Sequence, residues 1–417
     1  MYVNIKLLDK KLTNRKGGYM EYKATVHRLM KEKEQLSFEF FEHLHKHPEI
    51  SNQEFETTAY VKDILKSLDI EVIDYGMETG VVGLLRGGSD GPCIALRADI
   101  DALPIQEDST QEFCSEVPGV SHACGHDAHC AALLTAASIL SEMRDEIKGS
   151  VKFIFQPAEE LNTGAKILVD RDCLRGVDAI FGVHNSPDVP FGSIGVKDGP
   201  LMAAVDRINM KIYGRGGHGG QPHLTCDPVV AAASFIQSAQ TIVSRNISPN
   251  RFAVVSICDM KAGSGAINNI IPEEVTMYGT VRTFDSADAK MIEERLKKMI
   301  AQIADAYNCE GECEYIYQIP ATYGMHELYD TAYAAASAVG VPVDPTPTGG
   351  GEDFSIYQQH VPGFFYWLGI REEDNDCVYP WHSPHFKLNK AVVPIGAGLY
   401  AMSVFKGIDA VNNGLLK

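Results

Sequence analysis

The chain has 417 residues, 45% of them hydrophobic and 22% charged, with a formal net charge of −18. That length exceeds what one ordinary hydrophobic core serves, so two domains are expected. The acidic balance excludes nucleic acid and anionic membrane surfaces as partners, because both require basic patches.

No apolar run approaches the ~18–20 residues that span a bilayer. The first twenty residues hold no apolar stretch followed by a small-residue cleavage site, so no secretory signal is read there. A cytoplasmic protein is expected. Its ten scattered cysteines then act as buried apolar groups or ligands rather than as a disulfide framework. Lys16-Gly17-Gly18 is what a purine-rich ribosome-binding site encodes in frame, so residues 1–19 are expected to be a non-native or disordered extension.

From Glu21 to Leu68 the apolar spacing is helical, with no internal breaker before Pro48. Short apolar runs follow at 81–85, 93–96, 151–155, 179–183 and 364–368, with helical stretches near 128–143 and 390–405 among them. Continuous apolar strands separated by helices predict a mostly parallel sheet flanked by helices. Between 203 and 318 the texture changes. Residues 206–212 alternate polar and apolar, and the order strand, helix (227–244), strand (252–258), strand (274–282), helix (286–306), strand (312–317) predicts a ferredoxin-like α+β unit. The expected organisation is a discontinuous domain, 21–202 with 319–417, into which 203–318 is inserted.

Metal-capable side chains recur where buried strands should end. Asp99 and Asp101 follow the first run, Glu159 and Glu160 follow 151–155, and His184 closes 179–183. In open parallel sheets the ligand crevice lies beyond the carboxyl ends of the strands, so these groups can converge. The sharpest local signal runs from His122 to His129. Gly125 permits a tight turn that lets the Cys124 thiolate and the His126 imidazole face one point, and Asp127 is expected to cap the following helix. Glu159-Glu160 offers one carboxylate for a metal and its neighbour for proton transfer. His382 and His385 are ambiguous by themselves. In the inserted unit, the glycine-rich loop around His218 lacks the Lys-Ser/Thr ending of a phosphate cradle. His218 could instead donate to a developing oxyanion, and Asn269 and Arg282 could form a polar clamp, Arg282 bidentate on a carboxylate.

Taken together, Leu96–Pro104, His122–Asp127, Phe155–Glu160, Gly182–Asn185, Gly216–His218, Asn269–Pro272, Gly351–Phe354 and His382–Pro384 resemble the aminoacylase and carboxypeptidase metallopeptidase family. The N-acyl-amino-acid amidohydrolase branch is the nearest, the hippurate hydrolase and indoleacetyl-amino-acid hydrolase type. The resemblance covers about residue 40 to 405. It implies a zinc-exopeptidase-like catalytic domain with an inserted lid that mediates homodimerisation. It further implies two divalent ions per subunit (Zn, Mn, Co or Ni) on Cys124, His126, Glu160, His184 and His382. Glu159 falls at the general acid/base position and Asp99 at a supporting one. His218 is expected to reach a partner subunit's site, and Asn269 and Arg282 to bind the substrate's carboxylate end. The implied reaction is hydrolysis of an N-acyl amino acid or dipeptide by metal-activated water. Leu161-Asn162-Thr163-Gly164 departs from the family's usual glycine-rich continuation, and Lys261–Gly265 from its commonest version, so acyl preference does not follow. The rivals are a dipeptidase or carboxypeptidase on the same site, a cysteine hydrolase using Cys124, and a non-catalytic metal-binding protein.

Overall fold

The computed structural model describes residues 22–108, 112–263, 265 and 267–416, so the expected extension at 1–19 lies outside the described residues. The chain divides into two compact units. One comprises residues up to Leu201 with Tyr323–Thr346 and Ile356–Lys417, the other Met202–Thr322 with Pro347–Ser355. Among the described residues no helix is long and apolar enough to cross a membrane.

The first unit is built on an eight-stranded sheet. Its order is Glu71–Ile73, Val81–Arg86, Lys148–Gln156, Ser89–Asp99, Ala179–Pro190, Gly363–Arg371, Ser193–Gly195, Val341–Val343. The four central strands, from 148–156 to 363–371, run parallel. The 71–73 and 81–86 strands pair antiparallel at one side, and 193–195 lies antiparallel to 363–371 at the other. The parallel centre follows from burial on both faces: Pro92 through Asp99 are buried without alternation, as a strand covered on both sides requires. Two covering helices, His126–Glu142 and Val392–Asn412, pack on each other. The first is buried from His126 to Leu140 without a break. The helical pattern read from Glu21 to Leu68 resolves into helices at 22–32, Glu34–Lys46 and Phe55–Ser67.

Strand order decides where a site can form. The 89–99 strand has its sequence successor, 148–156, on one side and the next long strand, 179–190, on the other. The connections leaving their carboxyl ends therefore diverge, and a crevice opens there.

The second unit has Ala204–Tyr213, Ala253–Ala262, Glu274–Thr283 and Glu310–Ile319 in the order 253–262, 274–283, 204–213, 310–319. All three pairings are antiparallel. Helices Pro228–Asn246 and Ser286–Ala306 complete the ferredoxin-like order. The 286–306 helix buries Ala289, Ile292, Leu296, Ile300 and Ala304, a three-and-four spacing that makes one apolar stripe. Ile208, Met210 and Ile212 share that core. Asp227 and Asp285 cap the two helices, accepting the backbone N–H of Val229 at 2.9 Å and of Ala287 at 2.8 Å.

Candidate metal centre

Cys124 and His126 flank Gly125, whose φ of +82° is a left-handed conformation that glycine adopts without steric cost. A Cβ there would also meet Asn185 Nδ2 at 2.4 Å. The turn sets both side chains toward the crevice, and the helix starts at once. Asp127 is not the cap expected of it. The N-cap is Gly125, and Asp127 sits in the first turn, where its carboxylate accepts His45 Nδ1–H at 2.6 Å. Its inward-facing helical position hands it to a buried partner rather than to the helix end.

The five side chains expected as ligands meet. Cys124 Sγ lies 3.5 Å from His184 Nε2. Glu160 Oε1 lies 3.9 Å from His126 Nε2 and 3.3 Å from His382 Nε2. Cys124, His126 and Glu160 offer donor atoms all within 4.8 Å of one another.

The protonation pattern suits a cation. His184 Nδ1 is 2.7 Å from the Asn185 carbonyl and His126 Nδ1 is 2.9 Å from the Asp101 carbonyl. A carbonyl only accepts, so each ring carries its proton on Nδ1 and turns the Nε2 lone pair into the cluster. His126 Nε2 and Glu160 Oε1 are buried without a hydrogen-bond partner. Such orphans cost on the order of 1–3 kcal/mol each, which a bound cation would offset. One thiol, three imidazoles and a carboxylate form a donor set that fits zinc and its first-row neighbours.

Around this cluster the supports are buried too. Asp99 accepts from His129 Nδ1 at 2.6 Å and from Arg97 Nη1 at 2.8 Å, and lies 3.8 Å from His126 Nε2. Burial alone would raise its pKa, but its neighbours His126, His129 and Arg97 hold it well below the ordinary carboxylate range. Arg97 in turn bonds Gln156 Oε1 at 2.8 Å, and Tyr357 shares that oxygen at 2.9 Å. Asp101 Oδ2 accepts the Glu160 backbone N–H at 3.0 Å and Ser51 Oγ–H at 2.7 Å. This fixes the turn that carries Glu159 and Glu160. In that turn Ala158 has φ +52° and donates its N–H to Glu54 at 2.9 Å. Glu159 is 7% exposed. Burial, and next the Glu160 carboxylate, push the Cys124 thiol well above its ordinary pKa. That is the reverse of what a thiolate nucleophile needs.

The remaining expected residues belong to the second unit. His218 lies in a two-residue strand paired with Ile270–Ile271, opposite Ile270 and so beside Asn269. His218 and Asn269 are exposed. Arg282 is half-buried near the end of its strand, donating to the Thr280 hydroxyl and to the Val281 carbonyl. His385 bonds the Asp108 carbonyl at 2.9 Å rather than joining the cluster.

Residue-by-residue reading missed His129, Asn185 and Arg97, and noted Asp101 without giving it a role. His129 stands three positions after His126, one helical turn on, which was a legible signal. The side-chain partners of Asn185, Cys124 and Trp381, come from distant segments and were not; Arg97 pairs with Asp99 only two positions on, but its other partner, Gln156, is 59 positions away.

Residues 95–406 match the model of peptidase family M20/M25/M40, and the chain belongs to that family. It is 43% identical over 362 residues to an N-acetylcysteine deacetylase of Bacillus subtilis, covering 86% of this chain and 93% of that one. It is 37% identical to thermostable carboxypeptidase 2 of Saccharolobus solfataricus, over 87% and 93% of the two chains. Among solved structures it resembles the Bacillus subtilis YXEP protein, described as a dinuclear metal-binding peptidase of the M20 family. There the TM-score is 0.81 and the identity 37%, over 91% of this chain and 99% of that one.

Proposed function

We propose that this protein is a metal-dependent amidohydrolase that cleaves the amide bond of N-acyl amino acids and releases the free amino acid. The observation that carries this reading is the meeting of Cys124, His126, Glu160, His184 and His382, with His126 Nε2 and Glu160 Oε1 buried and unsatisfied. The identity with an N-acetylcysteine deacetylase supports an N-acyl amino acid as substrate.

Two divalent ions on these five groups would supply the Lewis acidity that polarises the amide carbonyl and activates the attacking water. Zinc, manganese, cobalt and nickel all suit the donors. Glu159 takes the proton from that water and delivers it to the departing nitrogen. Asp99 orients the ligand set through its contacts with His129 and Arg97. In the second unit, read as a lid and dimerisation domain, His218 stabilises the oxyanion at the site of a partner subunit. Asn269 and Arg282 grip the substrate carboxylate, the local cationic clamp that an anionic substrate needs on a chain of net charge −18. Ten free cysteines support a cytoplasmic enzyme.

A second reading, a carboxypeptidase or dipeptidase on the same centre, is favoured by the identity with the Saccharolobus carboxypeptidase. The test is release of free amino acid from acetyl-, benzoyl- and aminoacyl-blocked substrates, after chelation and after restoration with each metal. Turnover confined to acyl substrates and restored by metal is expected. Preference for aminoacyl substrates moves the assignment to the peptidase, and activity that survives chelation rejects both.

A further inference from the structure

The residue that follows the ligand His184 has no side chain in the metal cluster, yet every polar group it owns is engaged with a segment that supplies a ligand. Asn185 is fully buried. Its carbonyl accepts His184 Nδ1–H at 2.7 Å, and its backbone N–H donates to His129 Nε2 at 2.8 Å. Its Nδ2 donates to the Cys124 carbonyl at 2.6 Å, and its Oδ1 accepts Trp381 Nε1–H at 3.0 Å.

Chemistry fixes the orientation of this amide. An indole N–H only donates and a peptide carbonyl only accepts, so Oδ1 must face Trp381 and Nδ2 must face Cys124. The same logic fixes His129. Its Nε2 accepts a backbone N–H, so its proton sits on Nδ1 and is donated to Asp99. Asn185 thereby sets, through one side chain and one peptide, the position of the Cys124 backbone, the tautomer of His184 and the tautomer of the imidazole that holds Asp99.

Its fourth reach is toward His382, whose backbone N–H is also tied to the Ala123 carbonyl at 2.8 Å. The His382 side chain is 53% exposed and its backbone has φ +63°. His382 follows Trp381 directly, and the Trp381 indole stacks on Trp367 with centroids 5.5 Å apart and stands edge-on to His184 at 5.2 Å. The Trp381–Asn185 bond therefore pins the segment that presents His382. Gly125 completes the arrangement, because any Cβ at that position would occupy the space of the Asn185 amide.

We propose that Asn185 is a positioning residue that holds the ligands of three separate chain segments, Cys124, His184 and His382, in one frame. This rests on the metal-centre reading above and adds to it a residue outside the ligand set. Cobalt(II) is the probe, because its thiolate charge-transfer band reports the Cys124 bond. Asn185→Asp keeps the acceptor toward Trp381 and loses the donor toward Cys124. Trp381→Phe keeps an aromatic ring and loses the bond to Oδ1. Cobalt affinity, stoichiometry and spectrum are measured for both beside the unaltered protein, with thermal unfolding as a check on the fold.

Asn185→Asp is expected to weaken cobalt binding by about 10–100-fold and to shift the charge-transfer band. Trp381→Phe is expected to leave the band in place and to weaken the second equivalent by about tenfold. If Asn185→Asp does not fold, Trp381→Phe decides alone through that second equivalent. Two equivalents bound by the folded variants with unaltered affinity and spectrum would overturn the proposal while leaving the metal centre intact. Absence of cobalt binding in the unaltered protein would overturn the metal centre itself.

Discussion

The cluster at the strand ends of the first unit and the segment around His218 in the second use polar side chains in opposite ways. In the first, the ionisable groups of the crevice are buried and held by second partners: Asp99 by Arg97 and His129, Asp101 by Ser51 and the Glu160 backbone, His184 by the Asn185 carbonyl. In the second, His218 lies exposed in a two-residue ladder with Ile270–Ile271, and Asn269 lies exposed just before it. A buried, cross-braced group keeps one geometry and is costly to disturb, because an orphaned polar atom loses its solvation as well as its bond. An exposed group on a short ladder is cheap to change structurally, so its loss should appear in function alone.

The largest effect should come from Glu159. Glu159→Ala is expected to retain bound metal and lose turnover by about 10²–10⁴-fold, read by elemental analysis beside steady-state kinetics. Near-normal turnover would remove it from the proton-transfer role. Next is His45, a residue of pure bracing clamped between Asp127 at 2.6 Å and Glu107 at 3.0 Å. Burial alone would lower its pKa, but the two carboxylates outweigh burial and push it up to about 10 from 6.5. Because the folded value is the higher, the stabilisation is fully present below pH 6.5 and is lost as pH rises toward about 10. His45→Ala leaves two buried carboxylates without their cation and should cost about 3–5 kcal/mol. Denaturant titrations at pH 6.5 and pH 10 should show less slope with pH in the variant than in the parent, and an unchanged slope would contradict the clamp.

His218→Ala sharpens the contrast from the other side. It should reduce kcat by about 10²–10³-fold with unfolding temperature and metal content unchanged. A loss of stability instead would mean that the exposed histidine is structural. The smallest effect belongs to the solvent face of the second sheet, where Tyr278 is 42% exposed. Tyr278→Ser should alter stability by no more than about 0.5 kcal/mol, measured by the same titration.

Much of this was legible in the chain. The unalternating apolar runs at 93–96, 151–155 and 179–183 became central parallel strands, and the alternation at 206–212 became a strand with one wet face, because burial on two faces or on one writes itself directly into residue pattern. Asp99, Glu159, Glu160 and His184 stood out only together, as several metal-capable groups at strand ends, whereas His382 is ambiguous by itself and joins the set through the family resemblance. Asp127 misled because helix-start chemistry is local, whereas its true partner, His45, is 82 positions away.

Strands and helices, the change of texture near 203 and the identity of the donor atoms are written along the chain, since these depend on neighbours in sequence and on side-chain chemistry. Folding in three dimensions settles which histidine nitrogen faces the cluster, that His129 braces Asp99 and gives its lone pair to the Asn185 N–H, and that Asn185 touches three of the segments at once. A tautomer or an amide orientation is set by the partner across space, and no spacing along the chain encodes it.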